Sequence, residues 1–229
     1  MADSHAQSIF GQIRDLSTTA TSTAMSFNLT WPFVTLPHFI LQAEEAIQYA
    51  DAELVLFCPL VSSEDVSRWD AYSIAHQDWI KRDLQDIGIN AEVPSIAPEM
   101  YSWPHDVAGA SNVVSPVKVP LWQMAPIGTN VSLINLDLTT QPSFQRVLET
   151  GIMHYEHVLL SQVVDVRFLY PFLRVTEDQY SHPRSYVVQP VMSNFVNNTL
   201  VGFMIAVLES SSACEEAMRE RSLTTDIVT

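Results

Sequence analysis

The stretch that decides the fold runs from His182 to Glu209, HPRSYVVQPVMSNFVNNTLVGFMIAVLE. Two apolar runs, SYVVQPVM and TLVGFMIAVL, flank the polar break SNFVNN, and the second stops at Glu209 before small and charged residues. Neither run alternates apolar with polar, as a strand with one wet face would, so both faces are expected to be covered. The pair reads as an antiparallel hairpin at the centre of a sheet.

Outward from this hairpin, HVLLSQVVDV, VSLINLDL, VPLWQMAPI and the run Glu53 to Val61 read as further strands. Pro142 fits the first turn of a helix from Gln141 to about Tyr155. Ser62 to Asp65 has the look of a capping box, and Val66, Trp69, Tyr72, His76, Ile80, Leu84 and Ile87 trace one helix from Glu64 to about Asp86. Ile9, Phe10, Ile13, Leu16, Ala20 and Phe27 recur at helical spacing from about Ser4 to Phe27. WPFVTLPHF breaks that helix, and Phe39, Ala43, Ala46, Ile47 and Ala50 resume a helical face. Residues 90 to 119 carry Pro94, Pro98, Pro104 and Pro116 and read as a long irregular loop. The expected fold class is α+β: a long N-terminal helix packed on a mainly antiparallel sheet of the PAS or Cache kind. The expected divisions are residues 1–35, an amphipathic helix and its connection; 36–209, the sensor lobe; and 210–229, a polar tail with weak helical character around Ala213 to Arg221.

Composition limits the function. The chain has 229 residues, 47% of them hydrophobic, which is enough for a real core. Its 11 Lys plus Arg face 26 Asp plus Glu, a net charge of −15, and that field repels phosphate backbones and anionic membranes. Nucleic acid is not an expected partner. Only 6 residues are glycine, and neither phosphate-cradling glycine motif occurs. The longest apolar run, Leu200 to Leu208, is too short to cross a bilayer, which needs about 20 residues. MADSHAQSIFGQIRDL lacks the basic and apolar regions of a signal peptide, so the chain is expected to be cytosolic or a segment of a longer protein. Asn28, Asn130 and Asn197 each begin an N-x-[ST] sequon, a weak pointer to a secretory location. Whether Cys58 and Cys214 pair is left open by their spacing.

Few residues carry chemistry. His154 and His157 sit i and i+3 at a helix end with no second cluster, a poor zinc site better read as surface. No G-x-S-x-G elbow, singled-out carboxylate pair or cofactor motif is present. No catalytic, metal or cofactor residue is assigned. Trp69, Tyr72, His76 and Trp79 form an aromatic ladder that core packing explains as well as a pocket does. In PLWQMAP, Trp122, Gln123 and Met124 set a ring, an amide and a thioether between prolines, the mixture found in pockets and also in ordinary edge strands. Arg184, Tyr186 and Gln189 put polar groups on a buried strand, where either a ligand or the backbone must satisfy them. These six are the candidate ligand-binding residues.

Taken as an ordered series, TWPFVTLPHFILQAEEAIQYADAELVLFCPLV, RWDAYSIAHQDWI, PLWQMAP, SLINLDL, LSQVVD and HPRSYVVQPVMSNFVNNTLVGFMIAVLE resemble the extracellular sensor region of diatom receptor-type nucleotide cyclases over roughly Ala2 to Glu209. The resemblance implies a CHASE- or Cache-like layout, with a helix rising from one membrane span, a PAS-like lobe and a return toward a second span and a cytoplasmic class III cyclase domain. It implies a non-catalytic receiver of an unidentified small molecule on the extracellular side of a membrane. Tethering would come only through segments absent from this chain, and a homodimer would form through the N-terminal helix. The sequence departs from that pattern at SSSACEEAMRERSLTTDIVT, where an aromatic-rich segment toward the membrane is expected. The alternative is a freestanding binding or interaction protein, or a truncated orphan of such a receptor.

Overall fold

The computed structural model describes residues 2–90, 97, 99–103, 116–127, 131–155, 158–172, 182–194, 199–209 and 227–228. The chain is α+β. Its largest sheet is built on the expected hairpin, β8 (Arg184–Met192) and β9 (Leu200–Glu209), paired antiparallel from Arg184 opposite Glu209 to Pro190 opposite Phe203. Ser193 donates its amide to Thr199 and closes the hairpin end. β9 pairs on its other side with β1 (Ala52–Pro59), which pairs in turn with β5 (Gln123–Ala125). β7 (Leu159–Ser161) lines the outer side of β8, and the two-residue β10 (Ile227–Val228) adds to it in parallel. The order is β10-β7-β8-β9-β1-β5, so the first and last long strands lie side by side in the middle.

Central strands buried on both faces need continuous apolar sequence, and β9 is buried from Val201 to Leu208. Register assigns the two faces. Phe57 meets the edge of Trp31 at 6.3 Å, and its partner Gln123 bonds to Leu36, so the 31–36 segment and α2 (Phe39–Ala50) cover that face. On the opposite face Tyr186 stacks on Phe144 of α5 (Pro142–Met153) at 4.1 Å, and Gly151 of α5 lies on the Phe203 ring.

β7 is short, and its brevity decides where α1 (Ala2–Ser26) lies. Beyond the β7 pairing, the outward carbonyls of Pro190 and Met192 have no strand beside them among the described residues. Ser17 donates its hydroxyl to the first at 2.7 Å and Thr21 to the second at 2.9 Å. Four helical residues rise about 6 Å, and two strand residues advance about 6.6 Å, so the hydroxyl spacing matches the carbonyl spacing. Ile13, Leu16, Ala20 and Ala24 of the same helix are buried beside these bonds. A proline is tolerated in β8 because its missing amide would face this unpaired rim.

Several expectations are corrected. The single helix from Glu64 to Asp86 is two, α3 (Val66–Ala75) and α4 (Asp78–Asp86). Trp69 and Trp79 are ten residues apart, which on one straight helix would turn them about 80° away from each other. With the break at His76 and Gln77, both meet Trp122, at 5.3 and 5.7 Å. The Ser62 hydroxyl accepts the Asp65 amide and donates to the Asp65 carboxylate, but the helix starts after this pair. The irregular loop contains two short strands, β3 (Tyr101–Ser102) and β4 (Val117–Lys118), paired with β6 (Leu136–Asp137) and β2 (Val61–Ser62) respectively. Its remainder lies mainly outside the described residues. VSLINLDL is largely a turn, because Asn135 takes a left-handed φ of 68° and Leu138–Thr140 form a 3-10 turn capped by the Asp137 side chain. HVLLSQVVDV shrinks to β7 and one bridge from Val164 to Arg184.

Gly202 supplies the closest approach at the centre: a Cβ there would stand 2.8 Å from the Cys58 carbonyl oxygen. Replacing Gly202 by Ala is expected to cost about 1–3 kcal/mol, read as a lower denaturant midpoint with unchanged slope.

Candidate functional site

The six candidate residues do not converge. Trp122 is fully buried, donates Nε1–H to the Thr35 hydroxyl at 2.9 Å and packs among Trp69, Tyr72 and Trp79. Gln123 accepts from the Leu36 amide at 2.7 Å and donates to the Leu36 carbonyl at 3.0 Å, so its side chain pairs with backbone as a strand would. Met124 is fully buried opposite Leu56. Trp122 and Gln123 are spent on packing the 31–36 segment and the aromatic group against the sheet edge.

Arg184 is fully buried and grips Glu53 with two bonds of 2.9 Å, reaching across β9 to β1. A bulge between Ala52 and Leu54 turns Glu53 toward it. A third donor of Arg184 reaches the His182 carbonyl at 2.6 Å. This is a bidentate structural clamp at the end of the hairpin. Gln189 donates to the Pro190 carbonyl at 3.2 Å, while its buried Oε1 has no hydrogen-bond partner among the described residues.

Tyr186 is the candidate that reaches a cavity wall. Its hydroxyl lies 2.9 Å from the Ser143 hydroxyl, and burial pushes its pKa up despite that bond. Ser143 lines a cleft of about 190 Å³ between the start of α5 and the end of β7, together with Pro142, Arg146, Ser161, Gln162 and Val163. The Gln141 side chain caps α5 by accepting from the Ser143 and Phe144 amides, which holds Ser143 in place. Ser161 fixes the other wall by accepting from the Tyr186 amide at 2.7 Å. Arg146 at the rim is exposed and makes no ion pair among the described residues. Asp165 nearby is bound to Arg167, which holds its carboxyl below the usual carboxylate range.

In an acidic protein, this cleft presents one cation, two hydroxyls and an apolar wall, and no carboxylate among its lining residues. Sequence reading missed Ser143, Arg146 and Ser161 because a capped helix start and a serine and arginine one turn apart are common on any surface. Tyr186 alone gave a signal, as a hydroxyl on an apolar strand.

No group of three or more metal-binding side chains occurs among the described residues. His154 ends α5 as its C-cap, and His157 lies outside the described residues. Asn28 is exposed with a left-handed φ of 51° just after α1, open to modification, whereas Asn130 and Asn197 lie outside the described residues. Cys58 is a buried free thiol in β1, its pKa raised by burial, and Cys214 also lies outside the described residues. Among the described residues no helix is long and apolar enough to cross a membrane. In comparison with known proteins, the chain matches no family model and no curated protein.

Removing one half of the Arg184–Glu53 clamp strands the other charge. Arg184→Met is expected to cost about 3 kcal/mol in chemical denaturation, and the double change with Glu53→Met is expected to recover most of that loss.

Proposed function

We propose that this chain is the ligand-sensing part of a receptor-type nucleotide cyclase: a PAS-like lobe of the CHASE or Cache kind, itself non-catalytic, working on the extracellular side of a membrane within a larger receptor. One observation carries the reading. A single strand, β8, joins the cleft to α1: Tyr186 touches Ser143 in the cleft wall, and four residues further along Pro190 accepts the Ser17 hydroxyl. A ligand that draws in Arg146 or Ser143 pulls on α5 and Tyr186, and so on the strand that seats the helix. Past Ile13 and Leu16, the contact face of α1 carries only the small residues Ser17, Ala20, Thr21 and Ala24, so this half of the helix is held by few interlocking side chains, as a moving output element requires. The antiparallel sheet with its first and last long strands at the centre also supports the PAS-like reading.

The cleft is smaller than the roughly 300 Å³ and above of drug-sized sites, so the ligand is a small molecule, and Arg146 favours one that carries a hydrogen-bond-accepting or anionic group. The test is a thermal-shift screen of the full chain against amino acids, small carboxylates, amines and nucleobases. A true ligand at 100 times its Kd adds about 2.7 kcal/mol to folded stability. At least one compound is expected to raise Tm in a concentration-dependent way, with the rise lost in Arg146→Gln. Silence across the panel, or a shift unaffected by that change, overturns the reading.

A further inference from the structure

The start of α2 lacks the usual means of satisfying a helix N-terminus. His38 occupies the N-cap in a left-handed conformation, φ 53°, with no side-chain capping bond, and the first turn carries no acid. The cap comes from another helix: the Asp83 carboxylate on α4 accepts the Ile40 amide. Asp83 is only 2% exposed, yet its second oxygen, Oδ2, has no hydrogen-bond partner among the described residues. Trp79, four residues earlier on the same buried face and 1% exposed, has an Nε1–H with no partner among the described residues. A carboxyl with one oxygen supplied and one bare, sealed between two helices, is stable as a neutral acid and poorly supported as an anion.

We propose that Asp83 is a proton-operated latch between α4 and the first turn of α2, closed when the carboxyl is protonated and loosened when it ionises. The charged groups acting on it among the described residues are Asp86 and Arg82 on its own helix and His38 at the start of α2. His38 is itself held 3.0 Å from Asp86. On the other side α4 meets Trp122, whose segment Pro120 to Ile127 contains no charged residue. Burial dominates and raises the Asp83 pKa to about 7, against the lowering effect of the Ile40 bond.

The direction follows. The unfolded carboxyl loses its proton near 3.8 and the folded one near about 7, so the contribution to stability is complete below the first value and is lost as pH rises toward the second. Above about pH 7 the buried anion draws on Trp79 Nε1–H or opens the contact to water. Because α2 packs on α1, β1 and β5, a loosened first turn changes the bed on which α1 lies. The latch thus makes that packing sensitive to pH near neutrality, separately from the cleft.

The test is a carbon NMR titration of the Asp83 carboxyl in the folded full chain, alongside Trp emission and denaturation in the wild type, Asp83→Asn, Trp79→Phe and His38→Gln. The carboxyl is expected to titrate near about pH 7, with a midpoint that survives His38→Gln. Asp83→Asn is expected to remove the emission change and to flatten the fall in the folding equilibrium between pH 5 and 8, a fall of at least about tenfold in the wild type. Titration near the ordinary carboxylate value overturns the latch, as does an unchanged pH dependence in Asp83→Asn. Should that variant fail to fold, the carboxyl titration of the wild type decides alone.

Discussion

The outer rim of β8 is the constraint on which the rest of the molecule depends. Along one side of this strand the backbone groups of alternate residues point away from β9, and each is met by a different part of the chain. The Arg184 carbonyl takes the Val164 amide, the Tyr186 amide goes to the Ser161 hydroxyl, β7 pairs at Val187 and Val188, and α1 takes the Pro190 and Met192 carbonyls. Leaving such groups bare in the interior would cost about 1–3 kcal/mol each. One strand therefore fixes where the cleft wall, the short edge strand and the helix must sit.

Charge plays a second part. The acidic excess stays mostly at the surface, while the interior keeps a few paired exceptions. Arg184 with Glu53 ties the hairpin to β1, and Lys118 with Asp137, 3.1 Å apart, ties β4 to β6. Asp83 stands apart from these because, among the described residues, no cation closes on its second oxygen. The first two groups tie strand to strand, and the third carries the proposed latch.

The hairpin and helices α2 and α5 were legible because their signals are local: long apolar runs rich in β-branched residues, a 3.6-residue stripe, and Pro142 after a capping residue. The break between α3 and α4 was not, since each half carries a plausible helical stripe and only the convergence of Trp69 and Trp79 on Trp122 separates them. The six candidate ligand-binding residues stand out as polar, aromatic or thioether side chains in apolar runs. Sequence does not reveal partners, however, and Gln123 and Arg184 find theirs in Leu36 and Glu53, 87 and 131 positions away. The cleft was invisible for the opposite reason: Ser143, Arg146 and Ser161 are ordinary until a short β7 and a capped α5 bring them together.

The measurement that tests the account most directly is amide hydrogen exchange on the full chain carrying Ser17→Ala and Thr21→Val. If these hydroxyls seat α1 on the β8 rim, amides of α1 will exchange faster than in the wild type while those of the β8–β9 hairpin stay protected. Unchanged protection in α1 would contradict the account, because the helix would then be held by its apolar face alone and β8 would have no grip on it.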